Sequence, residues 1–404
     1  MQPVYLDNNA TTRTDPAVVQ VMLPYFSEQF GNASSAHTFG SEVAGALREA
    51  RKRLQALLGA AFDYELVFTS GGTESDNAAI LSALATQDGR NEIVTTAVEH
   101  PAILNVVEHL DKSAGITTHF IGVDECGRLD VAAYERALGP RTAIASVMWA
   151  NNETGTLFPV EQLAEIAHRA GALFHTDAVQ AVGKIPIDLK ATKIDMLSLS
   201  GHKLHGPKGI GALYVRKGTK FSPLIWGGPQ ERKRRGGTEN VPSIVGLGKA
   251  AELASAHLAE ERTRVLALRE RLERGICAQI GHCLTIGDGK NRLPNTSNIA
   301  FQYLEGEAII DRLNRQGVAA SLGSACASGS MEPSHVLRAM NVPMSALRGA
   351  IRFSLSRDNT EDEVDRVLQV LPDIIVKLRE LSPSWQKRAN GALADPPRLT
   401  ELTL

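Results

Sequence analysis

Between about residues 40 and 216, amphipathic helical segments alternate with short apolar runs rich in β-branched residues. In one such segment, residues 43–58, apolar side chains recur every three or four positions, and Gly59 follows as a helix-ending residue. Alternation of this kind predicts an α/β fold, with helices on both faces of a mostly parallel sheet. Seven strands of one sheet are expected, at residues 65–69, 92–96, 117–123, 142–149, 172–176, 195–200 and 210–215.

The remainder of the chain has a different pattern. Residues 243–279 form a long helical stretch with little strand signal, which is typical of a connector between two lobes. Strand-like runs at 297–302 and 350–355 then alternate with helical segments, as in a small α+β unit. We therefore expect a large domain at 16–258, a small domain made of 1–15 and 259–385, and a loose tail at 386–404.

Charge and hydropathy exclude several classes of partner. The 43 basic and 45 acidic side chains leave a net charge of −2, so the surface offers no overall field for polyanions, and nucleic acid is not an expected partner. The N-terminal residues MQPVYLD are too acidic and too poor in apolar residues for a signal peptide, and no run reaches membrane-spanning length. We expect a cytoplasmic protein with no membrane partner.

The four cysteines, at 126, 277, 283 and 326, contain no CxxC pair, and reduced thiols are expected. Cys277, His282 and Cys283 could be imagined as metal ligands, but no second ligand cluster accompanies them. Cys277 also falls on the apolar stripe of a predicted helix, which favours ordinary packing. No metal site is predicted.

Two apolar strand-like runs are followed by residues that carry chemistry. HTDAVQ at 175–180 closes one run and SGHK at 200–203 closes the next. Because the carboxyl ends of neighbouring parallel strands meet at one sheet edge, Asp177 and Lys203 are expected to face one crevice. Pyridoxal phosphate requires this pair: a lysine amine forms a Schiff base with the aldehyde, and a buried carboxylate keeps the pyridine nitrogen protonated.

The run SGGTES at 70–75 lies between a predicted strand and a helix. Gly71 and Gly72 permit close backbone approach, and Thr73 would open a helix whose first amides can bind a phosphate. A glycine turn with Thr73 as N-cap is the alternative, and by itself the more common one. The Asp177 and Lys203 motifs favour the phosphate site.

Other polar residues are expected at the same sheet edge. The His100 imidazole, after one strand, could stack on a planar ring, although a solvent-facing loop histidine is the alternative. Asn151 and Asn152 follow a very apolar strand in NNETG, where tight-turn chemistry would also explain them. Their expected position in the crevice favours a functional role over a purely structural one.

The segment SLGSACASGS at 321–330 has almost no side chain able to anchor it, which predicts a mobile surface loop carrying one thiol. Because a structural cysteine would normally be buried, a nucleophilic or carrier role is favoured for Cys326. A thiol is mostly protonated near neutral pH, so attack requires removal of its proton by a neighbour or by the bound intermediate.

Arginines provide two further candidates. RKRRGGT at 232–238 is the densest basic run, usually a solvated face or polyanion patch, but its glycines and Thr238 could instead lean on a phosphate, even across a subunit boundary. Arg352 lies inside a strand-like run where an apolar residue would be expected. A carboxylate of the substrate would explain an arginine there.

Seven ordered motifs together resemble those of the cysteine desulfurases, most closely the NifS type of nitrogen-fixing bacteria. The resemblance extends from residue 3 to about 385, and MWANNETGTLFP at 148–159 and QER at 230–232 carry the NifS likeness. Leu322 and Ala327 depart from the family pattern, which affects loop pitch and rate rather than reaction type. The seven motifs are LDNNATT at 6–12, GTESD at 72–76, EHP at 99–101, HTD at 175–177, SGHK at 200–203, GTE at 237–239 and GSAC at 323–326.

The resemblance implies a homodimer with the pyridoxal-phosphate fold type I of aspartate aminotransferase. Lys203 would hold the cofactor, Asp177 would pair with the pyridine nitrogen, Gln180 with the phenolic oxygen, and His100 would stack on the ring and shuttle a proton. The implied phosphate ligands are Gly72, Thr73, Ser200, His202 and, from the other subunit, Thr238. Asn152 would contact both cofactor and substrate, and with Arg352 would bind the substrate carboxylate.

The implied reaction converts L-cysteine to L-alanine and leaves a persulfide on Cys326, for transfer to an iron–sulfur scaffold or another acceptor protein, most naturally for nitrogenase. Two alternatives remain: another pyridoxal-phosphate enzyme, such as a selenocysteine lyase or a transaminase, and a non-catalytic docking protein for iron–sulfur assembly. Transient ligation of a shared cluster by Cys326 is a minor further alternative, because one cysteine cannot complete such a site.

Overall fold

The computed structural model describes residues 3–113, 115–322 and 333–389. Cys326, Ala327 and most of the predicted tail lie outside these ranges. Within them, no helix is long and apolar enough to cross a bilayer. No group of three or more histidine, cysteine or acidic side chains in the described part of the chain could hold a metal ion.

Twelve strands occur in the described residues. They are β1 Val4–Tyr5, β2 Leu66–Thr69, β3 Glu92–Thr96, β4 Thr117–Ile121, β5 Thr142–Ser146, β6 Leu173–Asp177, β7 Met196–Ser200, β8 Gly211–Val215, β9 Cys283–Ile286, β10 Thr296–Phe301, β11 Val318–Ala319 and β12 Ala350–Ser354.

The helices are α1 Pro16–Met22, α2 Pro24–Ser27, α3 Thr38–Leu58, α4 Gly72–Thr86, α5 Pro101–Ser113, α6 Val131–Ala137, α7 Val160–Arg169, α8 Gln230–Lys233, α9 Val241–Glu260, α10 Leu266–Gln279, α11 Gly306–Arg315, α12 His335–Ala339, α13 Met344–Leu347, α14 Glu361–Leu381 and α15 Pro383–Ala389. Short 3-10 turns lie at Asp63–Glu65, Leu189–Ala191 and Gly201–Lys203.

The central sheet has seven strands in the order β2-β8-β7-β6-β5-β3-β4. The five strands from β7 to β4 pair in parallel, whereas β8 runs antiparallel to both β7 and β2. Every residue of β5, β7 and β8 is buried, because helices cover both faces of the sheet. All seven predicted strands are confirmed, and so is the mostly parallel arrangement.

A second sheet, with the order β12-β10-β9, has a hydrophobic layer on each face. Ile299, Phe301, Ile351 and Phe353 belong to one hydrophobic cluster, whereas Ala300 and Ala350, which alternate with them along β10 and β12, belong to the cluster of the central sheet. Arg352 has the same parity as Ala350, so it faces the central sheet. The sequence missed β9, which has four residues and includes a cysteine and a threonine.

The predicted connector helix is confirmed as α9 and α10, joined through a π-helical turn at Glu261–Val265. Leu268, Leu272 and Ile276 are buried on one side of α10 and pack in the smaller hydrophobic cluster. Cys277, in contrast, is exposed, so its predicted place on the apolar stripe is wrong. Successive residues of an α-helix are rotated by about 100° about its axis, so Cys277 is turned away from the buried face on which Ile276 lies. The division at residues 258/259 stays a prediction.

An ion pair covers the outer edge of the central sheet at β2. The Glu231 carboxylate accepts from the Phe68 backbone N–H at 2.9 Å and from Arg51 Nη1 at 2.9 Å, while Arg51 Nη1 also donates to the Leu66 carbonyl. The two side chains are 10% and 5% exposed. Backbone groups of an edge strand are thereby satisfied within the chain, which blocks pairing with another strand. The same contact fixes the segment after Trp226 to the sheet.

We predict that Glu231→Ala lowers the free energy of unfolding by about 3–5 kcal/mol, because it leaves the Arg51 guanidinium buried without its carboxylate. Urea titration of the cofactor-free protein would measure the loss. Glu49→Ala is the matched control: it removes one of the two carboxylate partners of the more exposed Arg53 and should cost less than about 1 kcal/mol. Equal losses in the two variants would contradict a structural role for the buried pair.

Candidate active site

A cavity of about 520 Å³ opens at the carboxyl ends of β5, β6 and β7. The edge of the sheet therefore gathers polar side chains at the place where ligands of open α/β sheets bind. Ten of the predicted site residues line it, namely Gly72, Thr73, His100, Asn152, Asp177, Gln180, Ser200, His202, Lys203 and Arg352.

Asp177 and Lys203 meet in this cavity because β6 and β7 are parallel neighbours. Asp177 is the last residue of β6, and Lys203 ends the 3-10 turn that follows β7. Asp177 Oδ1 accepts from the Val179 N–H at 2.9 Å, and Lys203 Nζ donates to the carbonyls of Ala10, at 2.8 Å, and Asn9. Burial raises the pKa of Asp177, and the charges of His100 and Lys203 oppose that rise.

The His100 ring lies between β3 and α5. Its Nδ1 accepts from the Ala102 N–H at 3.1 Å, so the neutral ring carries its proton on Nε2. Burial lowers the pKa of His100, and the charge of Lys203 lowers it further, against the opposing effect of Asp177. The ring is therefore largely neutral near neutral pH and has a defined tautomer.

The N-terminus of α4 forms a cradle opposite Asp177. Its N-cap residue is Gly71, which provides no side-chain cap, so the interpretation of Thr73 as the N-cap is wrong. A Cβ on Gly72 would lie 2.8 Å from Val179 Cγ2, which explains glycine at this position. Ser200 and His202 line the same cavity, and burial with nearby lysine charges lowers the pKa of His202 to about 4.

This donor set fits pyridoxal phosphate. A carboxylate and a lysine amine lie together, an imidazole lies beside them, and a helix N-terminus with hydroxyl-bearing neighbours can receive an anion. These three kinds of group correspond to the three reactive parts of the cofactor, which are a basic ring nitrogen, an aldehyde and a phosphate.

Gln180 is held by a residue that the sequence did not single out. Its Oε1 and its backbone carbonyl both accept from Lys184 Nζ at 3.1 Å, while its Nε2 donates to the Asn9 carbonyl at 3.0 Å. Burial lowers the pKa of Lys184 to about 8. With Oε1 bound to an ammonium, the amide of Gln180 is oriented as a donor through Nε2. The spacing of four residues between Gln180 and Lys184 is the signal from which the sequence could have predicted this contact.

Asn152 and Arg352 meet at the other side of the cavity. Arg352 is 1% exposed, and it donates to the Asn152 carbonyl at 2.9 Å and to Asp7 Oδ1 at 2.8 Å. The Asn151 side chain instead accepts from the backbone of Glu153 and Thr154. The tight-turn interpretation therefore holds for Asn151, whereas Asn152 lines the cavity and its role in binding stays a prediction.

Thr238 does not line the cavity of its own chain and is exposed. In the preceding basic run, Arg235 pairs with Glu74 at 3.0 Å, and Arg234 donates to the Tyr64 carbonyl. These two arginines are thus engaged within the chain, which argues against a polyanion patch made of the whole run. The role of Thr238 across a subunit boundary stays a prediction.

The sequence did not predict a group of buried ionisable side chains at the cavity. His175 lies between Ser146 Oγ and Ser198 Oγ, each at 2.9 Å, and Asp76 Oδ1 is 3.7 Å from its Nε2. Burial lowers the pKa of His175 to about 3 and raises that of Asp76 well above its usual range. Burial also raises the pKa of Glu99 to about 8. Near neutral pH the His175 ring is therefore uncharged and Glu99 is largely protonated, and burial favours the neutral form of Asp76 as well, which limits repulsion against Asp177.

We predict that Glu99→Gln changes the pH dependence of stability. The carboxyl ionises at a pKa of about 4.5 in the unfolded chain and about 8 in the fold, so between these pH values the folded state binds more protons. Its contribution is present at low pH and is lost as pH rises, by at most about 1.4 kcal/mol per pH unit. The glutamine variant should remove this decline in urea titrations of cofactor-free protein at pH 5–8.

Gln can keep the acceptor that binds the Met148 N–H and the Thr96 hydroxyl, so the substitution preserves the shape of the site. Glu307→Gln, on the exposed surface of α11, is the control and should retain the slope of the unaltered protein. A slope that Glu99→Gln leaves unchanged would show that Glu99 is ionised in the fold.

Comparisons with known proteins agree with this geometry. Residues 4–367 match the family described as aminotransferase class-V. The chain is 69% identical over 389 residues to a cysteine desulfurase of Gluconacetobacter diazotrophicus, covering 96% of this chain and 97% of that one. It is 59% identical over 396 residues to the cysteine desulfurase NifS of Azotobacter vinelandii, with 98% of each covered.

A solved structure described as a NifS-like protein superposes with a TM-score of 0.87 at 38% identity, covering 93% of this chain and 100% of that one. The chain therefore belongs to the class-V aminotransferases and, within them, to the cysteine desulfurases. The fold class and the family resemblance predicted from the sequence are both confirmed.

Proposed function

We propose that this protein uses pyridoxal 5'-phosphate to remove sulfur from L-cysteine. The products are L-alanine and a persulfide on Cys326, which takes the sulfur atom of the substrate in exchange for its thiol hydrogen. The observation that carries this proposal is the meeting of Lys203 and Asp177 in one cavity beside His100. Membership of the cysteine desulfurases supports L-cysteine as the substrate.

The cofactor would be held from all sides by residues of the cavity. Lys203 would bind its aldehyde carbon, Asp177 its ring nitrogen, Gln180 its phenolic oxygen, and His100 would stack on the ring. The phosphate would be bound by Gly72, Thr73, Ser200 and His202, with Thr238 of the partner subunit. Asn152 would contact both the cofactor and the substrate. When bound, the ring withdraws electrons from the substrate Cα, which makes the α-hydrogen acidic and the neighbouring Cβ–S bond breakable.

Two side chains would transfer protons in the reaction. Lys203 Nζ, in its neutral form, would remove the α-proton, and the N–H at His100 Nε2 would donate toward the reacting groups. The tautomer of His100 is set by the Ala102 N–H on Nδ1, so its donor faces away from the backbone. At the start of the reaction, Lys203 would therefore accept a proton and His100 would donate one.

Arg352 would bind the substrate carboxylate together with Asn152. Asp7 and the Asn152 carbonyl already hold the buried guanidinium in place. A planar guanidinium can bind a carboxylate through two parallel hydrogen bonds, and prior orientation reduces the entropy lost on binding. The amino acid would then lie with its Cα toward Lys203.

We predict that Arg352→Lys raises the KM for L-cysteine by about tenfold or more, because a lysine cannot form the paired hydrogen bonds. Steady-state kinetics would measure KM and kcat, and the absorbance of bound cofactor should stay unchanged. Arg348→Lys, at an arginine whose side chain is 56% exposed and which pairs with Glu305, is the matched control. An unaltered KM in Arg352→Lys would remove this residue from substrate binding.

The proposed protein is a cytoplasmic homodimer that passes its persulfide sulfur to an iron–sulfur scaffold or another acceptor protein, for nitrogenase clusters. The NifS relative supports the nitrogenase assignment. Large exposed apolar side chains support a subunit contact, because a solvated surface rarely gathers so many. They include Leu23, Phe26, Phe30, Phe39 and Trp226, which are 51%, 64%, 67%, 54% and 78% exposed.

Cys326→Ala and Lys203→Ala test the function. With L-cysteine and a thiol reductant, the protein should form alanine and sulfide in equal amounts. Cys326→Ala should keep the yellow bound cofactor but form no persulfide or sulfide, since the acceptor thiol is gone. Lys203→Ala should lose the absorbance of covalently held cofactor. Cys126→Ala, at a thiol that does not line the cavity, is the control and should behave like the unaltered protein.

Other outcomes separate the alternatives. Undiminished sulfide from Cys326→Ala would make that thiol incidental, as in a different pyridoxal-phosphate enzyme. A keto acid in place of alanine would indicate a transaminase, and turnover confined to selenocysteine a selenocysteine lyase. Bound cofactor with no product from any of these amino acids would indicate a docking protein.

A further inference from the structure

Two cysteines far from Cys326 in sequence lie side by side where α10 leads into β9. Cys277 Sγ is 3.7 Å from Thr285 Oγ1. Thr285 and Cys283 are two residues apart on β9, so their side chains share one face of the strand. Cys283 Sγ in turn lies 3.1 Å from the Ile280 carbonyl oxygen, inside the connection between helix and strand. The two thiols are therefore neighbours on one surface of the small sheet.

We propose that Cys277 and Cys283 form a redox-active dithiol, which a low-molecular-weight disulfide such as glutathione disulfide oxidises to an intramolecular disulfide. This modification site is separate from the proposed desulfurase reaction and does not depend on it. Because the connection between α10 and β9 is short, the disulfide would close only a small loop of the chain.

The two thiols have different surroundings. Cys277 is exposed, whereas Cys283 is partly buried. Interaction with the Cys283 thiol lowers the pKa of Cys277 to about 6, against burial, with Thr285 and Arg292 acting in the same direction and Glu273 opposing them. Interaction with Cys277 and burial raise the pKa of Cys283, and Arg379 of α14 opposes this rise. Cys277 is thus the attacking thiolate and Cys283 the resolving thiol.

The exchange proceeds in two balanced steps. The Cys277 thiolate attacks one sulfur of glutathione disulfide, a new sulfur–sulfur bond forms, and one glutathione leaves as its thiolate. Cys283 then attacks the Cys277 sulfur, and the second glutathione leaves with the proton that Cys283 gives up. Two protein thiols are oxidised, and one glutathione disulfide is reduced to two glutathione molecules.

The surrounding chain already holds the turn between the two cysteines. Arg379 donates to the carbonyls of Gly281, at 2.6 Å, and His282, at 3.2 Å. The Trp385 ring packs edge-on against His282, with ring centroids 5.2 Å apart. Because these contacts come from α14 and α15, the disulfide would link α10 to β9 within a turn that the last helices clamp from outside.

Incubation of the full-length protein in glutathione redox mixtures, followed by blocking of thiols and non-reducing peptide mass mapping, tests the proposal. The unaltered protein should yield a Cys277–Cys283 disulfide. Cys283→Ala should accumulate one glutathione on Cys277, because no resolving thiol remains, and Cys277→Ala should yield neither product. Cys126, whose pKa burial raises, is the internal control and should remain a free thiol.

Alkylation rates provide a second measurement that does not require disulfide formation. Cys277 should react with iodoacetamide at a rate that reaches half its maximum near pH 6, and Cys283→Ala should move that midpoint upward. The proposal is overturned if Cys277 alkylates no faster than Cys126 at pH 7. It is equally overturned if the unaltered protein retains glutathione on Cys277 without resolution, or if Cys277 pairs with Cys326 in place of Cys283.

Discussion

The pairing of β6 with β7 is the constraint on which the site depends. Because these strands are parallel and adjacent, their carboxyl ends lie at one edge, and Asp177 and Lys203 come together although 25 residues separate them in the sequence. Helices on both faces bury this edge and remove water from the carboxylate. The chemistry of the cavity is thus a consequence of sheet topology, and the short turns after each strand only adjust it.

Burial also decides which groups under the cavity carry charge. Asp76, Glu99 and His175 are buried, and the cost of charging a buried group shifts the pKa of each toward its neutral form, upward for the two carboxyls and downward for the imidazole. Serine hydroxyls on β5 and β7 satisfy the imidazole without adding charge. Burial thus disfavours additional charge beside Asp177, whose own pKa is also raised by burial.

Hydrophobic periodicity was enough to predict the seven strands and the connector helix, because burial on both sheet faces leaves long apolar runs. The ten cavity residues were predicted from short polar motifs at the strand ends and from the family resemblance, which alone implied roles for Gln180, Ser200 and His202. Contacts between distant residues left no such local pattern. The Glu231 pairing with Arg51 depends on such a distant contact, whereas the Lys184 contact with Gln180 and the exposure of Cys277 follow from local spacing that sequence reasoning could have detected. The short strand β9 was missed because four residues give too little pattern to distinguish a strand from a turn.

The buried Arg51–Glu231 contact has a consequence for mixed assemblies. It anchors the segment that leads to Thr238, the residue proposed to reach the phosphate of the neighbouring subunit. A substitution at Glu231 would therefore affect the neighbouring subunit. In a heterodimer of altered and unaltered chains, the altered protomer would keep its complete set of phosphate ligands, whereas the unaltered protomer would lose one.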